Sequence, residues 1–62
     1  MKKYEIRFKN SDGCILEKKK QVIGYVEKNR DEILGIFIIK NNNLHSFVTN
    51  EEIINNNYIL FL

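Results

Sequence analysis

The chain has no proline, no tryptophan and no alanine, and it has one cysteine and one histidine. Each shortage excludes something. With Cys14 alone, no disulfide forms within the chain. Cys14 and His45 together supply two of the four Cys/His ligands that the usual structural zinc sites need, so neither a metal nor a cofactor is expected. A chain of 62 residues buries only about 60% of its unfolded surface on folding. Without those two staples it relies on dense packing or on a second subunit. The lack of alanine, with Gly24 and Gly35 inside apolar runs, argues against a helical bundle. No apolar run approaches the roughly 20 residues that span a bilayer. Met1-Lys2-Lys3 leads straight into alternating residues rather than into the apolar stretch of a signal peptide. A soluble, cytoplasmic protein with a reduced thiol is the expectation.

What is abundant is β-branched and aromatic. There are ten Ile, three Val, four Phe and three Tyr, types that suit a pleated, half-buried surface. Ile, Lys and Asn make 27 of the residues. All three have AT-rich codons, which points to a bacterium with an AT-rich genome, or to a phage or mobile element living in one. The net charge of +2 comes from interspersed signs, whereas dedicated nucleic-acid binders more often concentrate theirs.

The stretch that organises the rest is Ile33-Leu34-Gly35-Ile36-Phe37-Ile38-Ile39, closed by Lys40. It does not alternate, so a central strand covered on both faces is predicted. Ile36, Phe37, Ile38 and Phe8 are its predicted core. Residues 3–9 alternate without error, with Tyr4, Ile6 and Phe8 on one face and Lys3, Glu5, Arg7 and Lys9 on the other. Asn10-Ser11-Asp12-Gly13 is a turn in which Gly13 is expected to supply positive φ. Residues 14–28 read as one long strand bent near Gly24, or as two strands around a lysine-bearing loop. The first is preferred. Asn29-Arg30-Asp31-Glu32 is a polar turn. Asn41-Asn42-Asn43 makes a tight hairpin, because asparagine tolerates the left-handed region. Thr49 with Glu52 has the spacing of a capping box, predicting one or two helical turns with Ile53 and Ile54 buried. Tyr58-Ile59-Leu60-Phe61-Leu62 reads as a final strand.

This order resembles SH3-like small barrels, which also carry a short 3₁₀ turn before the last strand. The resemblance is one of layout and rests on no family motif. The expected fold is thus mainly β: one domain, 1–62, forming a small antiparallel SH3-like barrel or a strongly bent meander of about five strands.

For chemistry, Cys14 and His45 are the only conceivable nucleophile and base. Cysteine beside Ile15 and Leu16 is far more often a small hydrophobe, so no catalytic residue is assigned and no enzyme is expected. Asp31-Glu32 and Glu51-Glu52 lack the spacing of a calcium loop. The excess of apolar residues on strands is the informative anomaly, because exposed apolar patches mark interaction sites. The expected function is a non-enzymatic interaction protein that binds another macromolecule, such as a phage or mobile-element accessory protein or inhibitor of a host factor, with a homodimer among its forms. Ile59, Phe61, Tyr25 and Phe47 are the candidate partner-binding residues. The alternative is a nucleic-acid-binding β-barrel using Arg7, Lys9, Lys18, Lys19 and Lys20.

Overall fold

The alternation at the start of the chain forms strand β1 (Lys2–Phe8) in a computed structural model that describes residues 1–10 and 12–62. A hairpin joins it to the short β2 (Cys14–Leu16), and a helix α1 (Lys19–Asn29) then crosses over. A 3₁₀ turn (Arg30–Glu32) leads into β3 (Ile33–Lys40), which pairs with β4 (Asn43–Thr49). Helix α2 (Asn50–Ile54) and a second 3₁₀ turn (Tyr58–Phe61) complete the fold. The strands form a single open antiparallel sheet in the order β2-β1-β3-β4, so the fold is mainly β but not closed into a barrel.

Register sorts the side chains. Tyr4 and Ile6 of β1 lie opposite Ile38 and Ile36 of β3, and Val48 of β4 continues the same row. This face is buried against Val22 and Val26 of α1, Ile53 of α2, and Tyr58 and Leu62. A bulge at Leu34, between the pairs Arg7–Gly35 and Phe8–Ile33, lets Ile33 point into the core as well. Asn41 and Asn42 both have positive φ (53° and 66°), the requirement of a tight hairpin turn matched to strand twist. Thr49 and Glu52 form the capping box reciprocally. Asn56, at φ 65°, ends α2 in the left-handed conformation, with Asn57 N–H donating to Glu52 C=O across the helix end.

Several sequence expectations are corrected. Residues 19–29 are helix, not part of a strand over 14–28. Val22, Ile23 and Val26 fall on one helical stripe, and Lys19, Lys20, Gln21, Glu27 and Lys28 are good helix formers. Residues 58–61 form a 3₁₀ turn rather than a fifth strand, which buries Tyr58 and Leu62 and turns Ile59, Leu60 and Phe61 outward. Ile36 and Ile38 are core, but Phe37 and Phe8 are only half-buried, and Ile54 is exposed where Ile53 is not. Ser11 lies outside the described residues. Gly13 does not have positive φ; a Cβ there would stand 2.2 Å from the Ile6 carbonyl oxygen, and that close approach is what requires glycine.

Arg30 ties the helical layer together. Its Nη1 donates to the Ile53 carbonyl (2.7 Å) and to Asn56 Oδ1 (3.1 Å), and its Nη2 pairs with Glu27. The guanidinium also lies 5.8 Å from the centroid of the Tyr58 ring. The Tyr58 hydroxyl is buried without a hydrogen bond of normal geometry. Burial raises its pKa, and the Glu27 carboxylate raises it further against the opposing pull of Arg30. The Tyr4 hydroxyl is also buried, and burial raises its pKa too, but it donates to the Leu62 carbonyl (2.6 Å), which Lys2 Nζ also reaches (2.7 Å). The Glu27 carboxylate is the hydroxyl's hydrogen-bond partner, but with geometry outside the normal range; such a bond contributes less than the usual ~1 kcal/mol, so Tyr58→Phe is expected to shift the denaturant midpoint little. A loss above about 1 kcal/mol would show that the bond to Glu27 has full strength.

Candidate interaction surfaces

The chain builds one helical layer and therefore covers one face of its sheet. Across the other face runs the row Ile15, Glu5, Phe37, Phe47, one residue from each strand. The neighbouring row places Lys3, Ile39 and Leu44 side by side. Phe37 and Phe47 form a tilted ring pair with centroids 4.6 Å apart. Phe47 also lies over Gly35, where a Cβ would meet its ring at 2.4 Å, so the glycine is the seat that lets the ring lie flat. Arg7 stands 5.5 Å from the Phe37 centroid, and its Nε pairs with Glu5 at 2.6 Å. The ion pair neutralises two of the three charges on this part of β1, leaving a largely apolar face. Phe47 stays 43% exposed and Leu44 63%.

The four predicted partner-binding residues are not brought together. Phe47 is on the open sheet face, Tyr25 on an outer side of α1, and Ile59 and Phe61 on the last 3₁₀ turn, where they are exposed beside Leu60. Neither do the basic residues form one patch. Leu16 pairs with Tyr4, so Lys18, Lys19 and Lys20 follow at the Lys2 end of β1. Arg7 and Lys9 are at the other end, on the order of 16 Å away from Tyr4 to Lys9 at about 3.3 Å per residue. Lys18–Lys20 occupy the start of α1 with no side-chain cap and no acidic residue in the first turn, contrary to what the helix dipole favours. Cys14 and His45 sit on β2 and β4, the two opposite edges of the sheet. Three strand spacings of about 4.8 Å separate them, far outside hydrogen-bond reach. Among the described residues no group of three or more His, Cys, Asp or Glu is placed to hold a metal, and no helix is long and apolar enough to cross a membrane.

Sequence reasoning missed a groove between the β2 edge and α1, of about 460 Å³. Leu16 forms its strand side. Gln21, Gly24, Tyr25, Lys28 and Asn29 form its helix side, an i, i+3, i+4, i+7, i+8 set on one face of the helix. Tyr25 leans on Phe8, with ring centroids 6.3 Å apart, and its carbonyl accepts from Asn29 Nδ2 (3.1 Å). The signal was hidden because residues 14–28 read as strand, and the face exists only once 19–29 are helix.

No protein-family model, no curated protein and no solved structure matches the chain.

Gly24 is in the middle of α1, and a Cβ built there meets nothing within 4 Å. Packing therefore does not require glycine, although glycine in a helix interior costs about 0.5–1 kcal/mol relative to alanine. Gly24→Ala is expected to stabilise the fold by about that amount, raising the thermal midpoint by roughly 2–8 °C. A lower midpoint in thermal unfolding would show that the position is constrained.

Proposed function

We propose that this chain is a non-enzymatic interaction protein that binds another protein through the uncovered face of its sheet. The observation that carries the reading is the aromatic pair Phe37–Phe47, flanked by Ile15, Leu34, Ile39 and Leu44, with Phe47, Ile15, Leu34 and Leu44 all exposed. Aromatic residues with an adjacent arginine are the types enriched where binding energy concentrates. Pairing of Arg7 with Glu5 occupies both charges and leaves Lys3 as the one unpaired charge of the three, which favours an apolar protein surface over phosphate. Size sets the strength. An eight-residue strand in a four-stranded sheet offers on the order of 500 Å² per side. That is the low end for specific interfaces, so a transient complex is expected rather than an obligate one. A small protein that blocks or modulates a host factor, carried by a phage or mobile element, fits these properties.

The second reading is nucleic-acid binding, supported by Lys18, Lys19 and Lys20 at the uncapped start of α1. It receives less support, because Arg7 and Lys9 lie at the other end of β1 and Glu5 and Glu17 intervene.

The test compares wild type with Phe47→Asp, Leu44→Asp and, on the other apolar surface, Phe61→Asp. Each is immobilised against extract of a bacterial host, with and without nuclease treatment, and each is also run by analytical ultracentrifugation. A protein held by wild type and Phe61→Asp but lost from folded Phe47→Asp and Leu44→Asp is the expected result. Retention by wild type and all three variants would remove the open face as the binding surface. Wild-type dimers that Phe47→Asp converts to monomers would identify the occupant as a second copy. Binding that vanishes with nuclease would favour the lysine-based reading.

A further inference from the structure

We propose that the groove between the β2 edge and α1 binds an extended, acidic peptide segment by adding it as a strand beside β2. This surface is separate from the open sheet face. β2 ends the sheet, so only one of its two sides is paired, by β1. The outer side presents main-chain donors and acceptors to any extended chain that approaches it. A bare edge alone specifies little. Here it is walled by a helix whose facing residues leave space at the centre and polar groups at the ends.

Gly24 makes the space. Nothing lies within 4 Å of where its Cβ would be, and it lines the groove together with Tyr25 and Leu16. An apolar side chain of the incoming strand fits there. In an extended chain, alternate residues point to one side, so one or two such side chains enter and their neighbours face outward. Lys28 is the only charged lining residue. Lys18, Lys19 and Lys20 follow β2 at its far end and outnumber Glu17 beside them. The polar part of the site therefore complements carboxylates. Electrostatics of this kind set specificity and encounter rate, while main-chain pairing supplies orientation. The short β2, three residues long, limits the ladder to a few hydrogen bonds, so micromolar affinity or weaker is expected.

The test begins with wild-type protein as bait for a random library of short linear peptides displayed on phage. Selected sequences should alternate apolar residues with Asp or Glu. A synthetic copy of one selected peptide is then titrated by fluorescence anisotropy against wild type, Gly24→Phe, Lys28→Glu and Phe47→Asp. Gly24→Phe, which fills the space, and Lys28→Glu, which reverses the charge on an exposed side chain, should each weaken binding at least tenfold. Phe47→Asp should leave it within twofold. Amide hydrogen exchange at Cys14, Ile15 and Leu16 should slow on binding, which a contact to the helix alone would not produce. Failure of the library to yield a binder overturns the proposal, as does equal binding by Gly24→Phe and Lys28→Glu, both checked as folded by circular dichroism. Protection that appears on β4 or the open face instead of β2 overturns it equally. Because Phe47→Asp serves as a control, loss of this site and loss of the open-face reading are told apart.

Discussion

The pairing of β1 with β3 is what the rest of the molecule depends on. It sets Tyr4 and Ile6 against Ile38 and Ile36 and so builds the patch of core that α1, α2 and the last 3₁₀ turn all cover. A chain of this length has enough helix for one such cover. Every residue on the opposite face is therefore left to water or to a partner. The Phe37–Phe47 pair, the Gly35 seat beneath it and the Arg7–Glu5 bridge are how the chain makes that second face tolerable while free. They lower its exposed apolar area without closing it.

The two layers are held by few polar ties, and these do not resemble one another. Arg30 gathers the end of α1, the end of α2 and the Tyr58 ring with one guanidinium. Its planar fork reaches acceptors in two directions at once, which a lysine does not. At the other side of the layer, Lys2 and Tyr4 meet on the Leu62 carbonyl. Asn50 Nδ2 donates to the Ile33 carbonyl (2.7 Å) and pins the start of α2 to β3, and the rest of the contact is apolar and non-directional. The bonds fix how the segments lie, and burial supplies most of the stability.

The parts legible in the sequence were those governed by local rules. β1 alternates without error, Asn41 and Asn42 accept the left-handed region, and Thr49 with Glu52 caps α2 as their spacing suggests. The parts that were not legible depend on what a segment packs against. Val22-Ile23-Gly24-Tyr25-Val26 has the composition of a strand. Its helical stripe is only three residues, and α1 lacks the capping residue or first-turn acid that would have announced a start. Tyr58 to Leu62 is apolar throughout, which suits a strand until the core leaves room for only Tyr58 and Leu62. The same dependence hid the surfaces. Phe37 read as core because its neighbours are core, and the β2–α1 groove has no existence until α1 does. Of the candidate contact residues, Phe47 stands on the open face and Tyr25 at the groove, whereas Ile59 and Phe61 lie on a third, separate patch.

The α1 crossover also fixes where the chain loses its freedom. Bringing β4 onto β3 closes only the two-residue turn Asn41-Asn42. Bringing β1 onto β3 closes the whole stretch 9–32 between Phe8 and Ile33. Loop-closure entropy grows with the logarithm of length, and the longer closure costs about 2 kcal/mol more than the turn. α1 offsets part of this by shortening that stretch into a rod, since eleven residues span about 16 Å as helix and more than twice that when extended. The β2–β3 connection thus lies within the most expensive closure of the topology, that of β1 onto β3, and also carries the groove. A ligand seated along α1 and β2 stabilises the closure that the bare chain finds hardest to make.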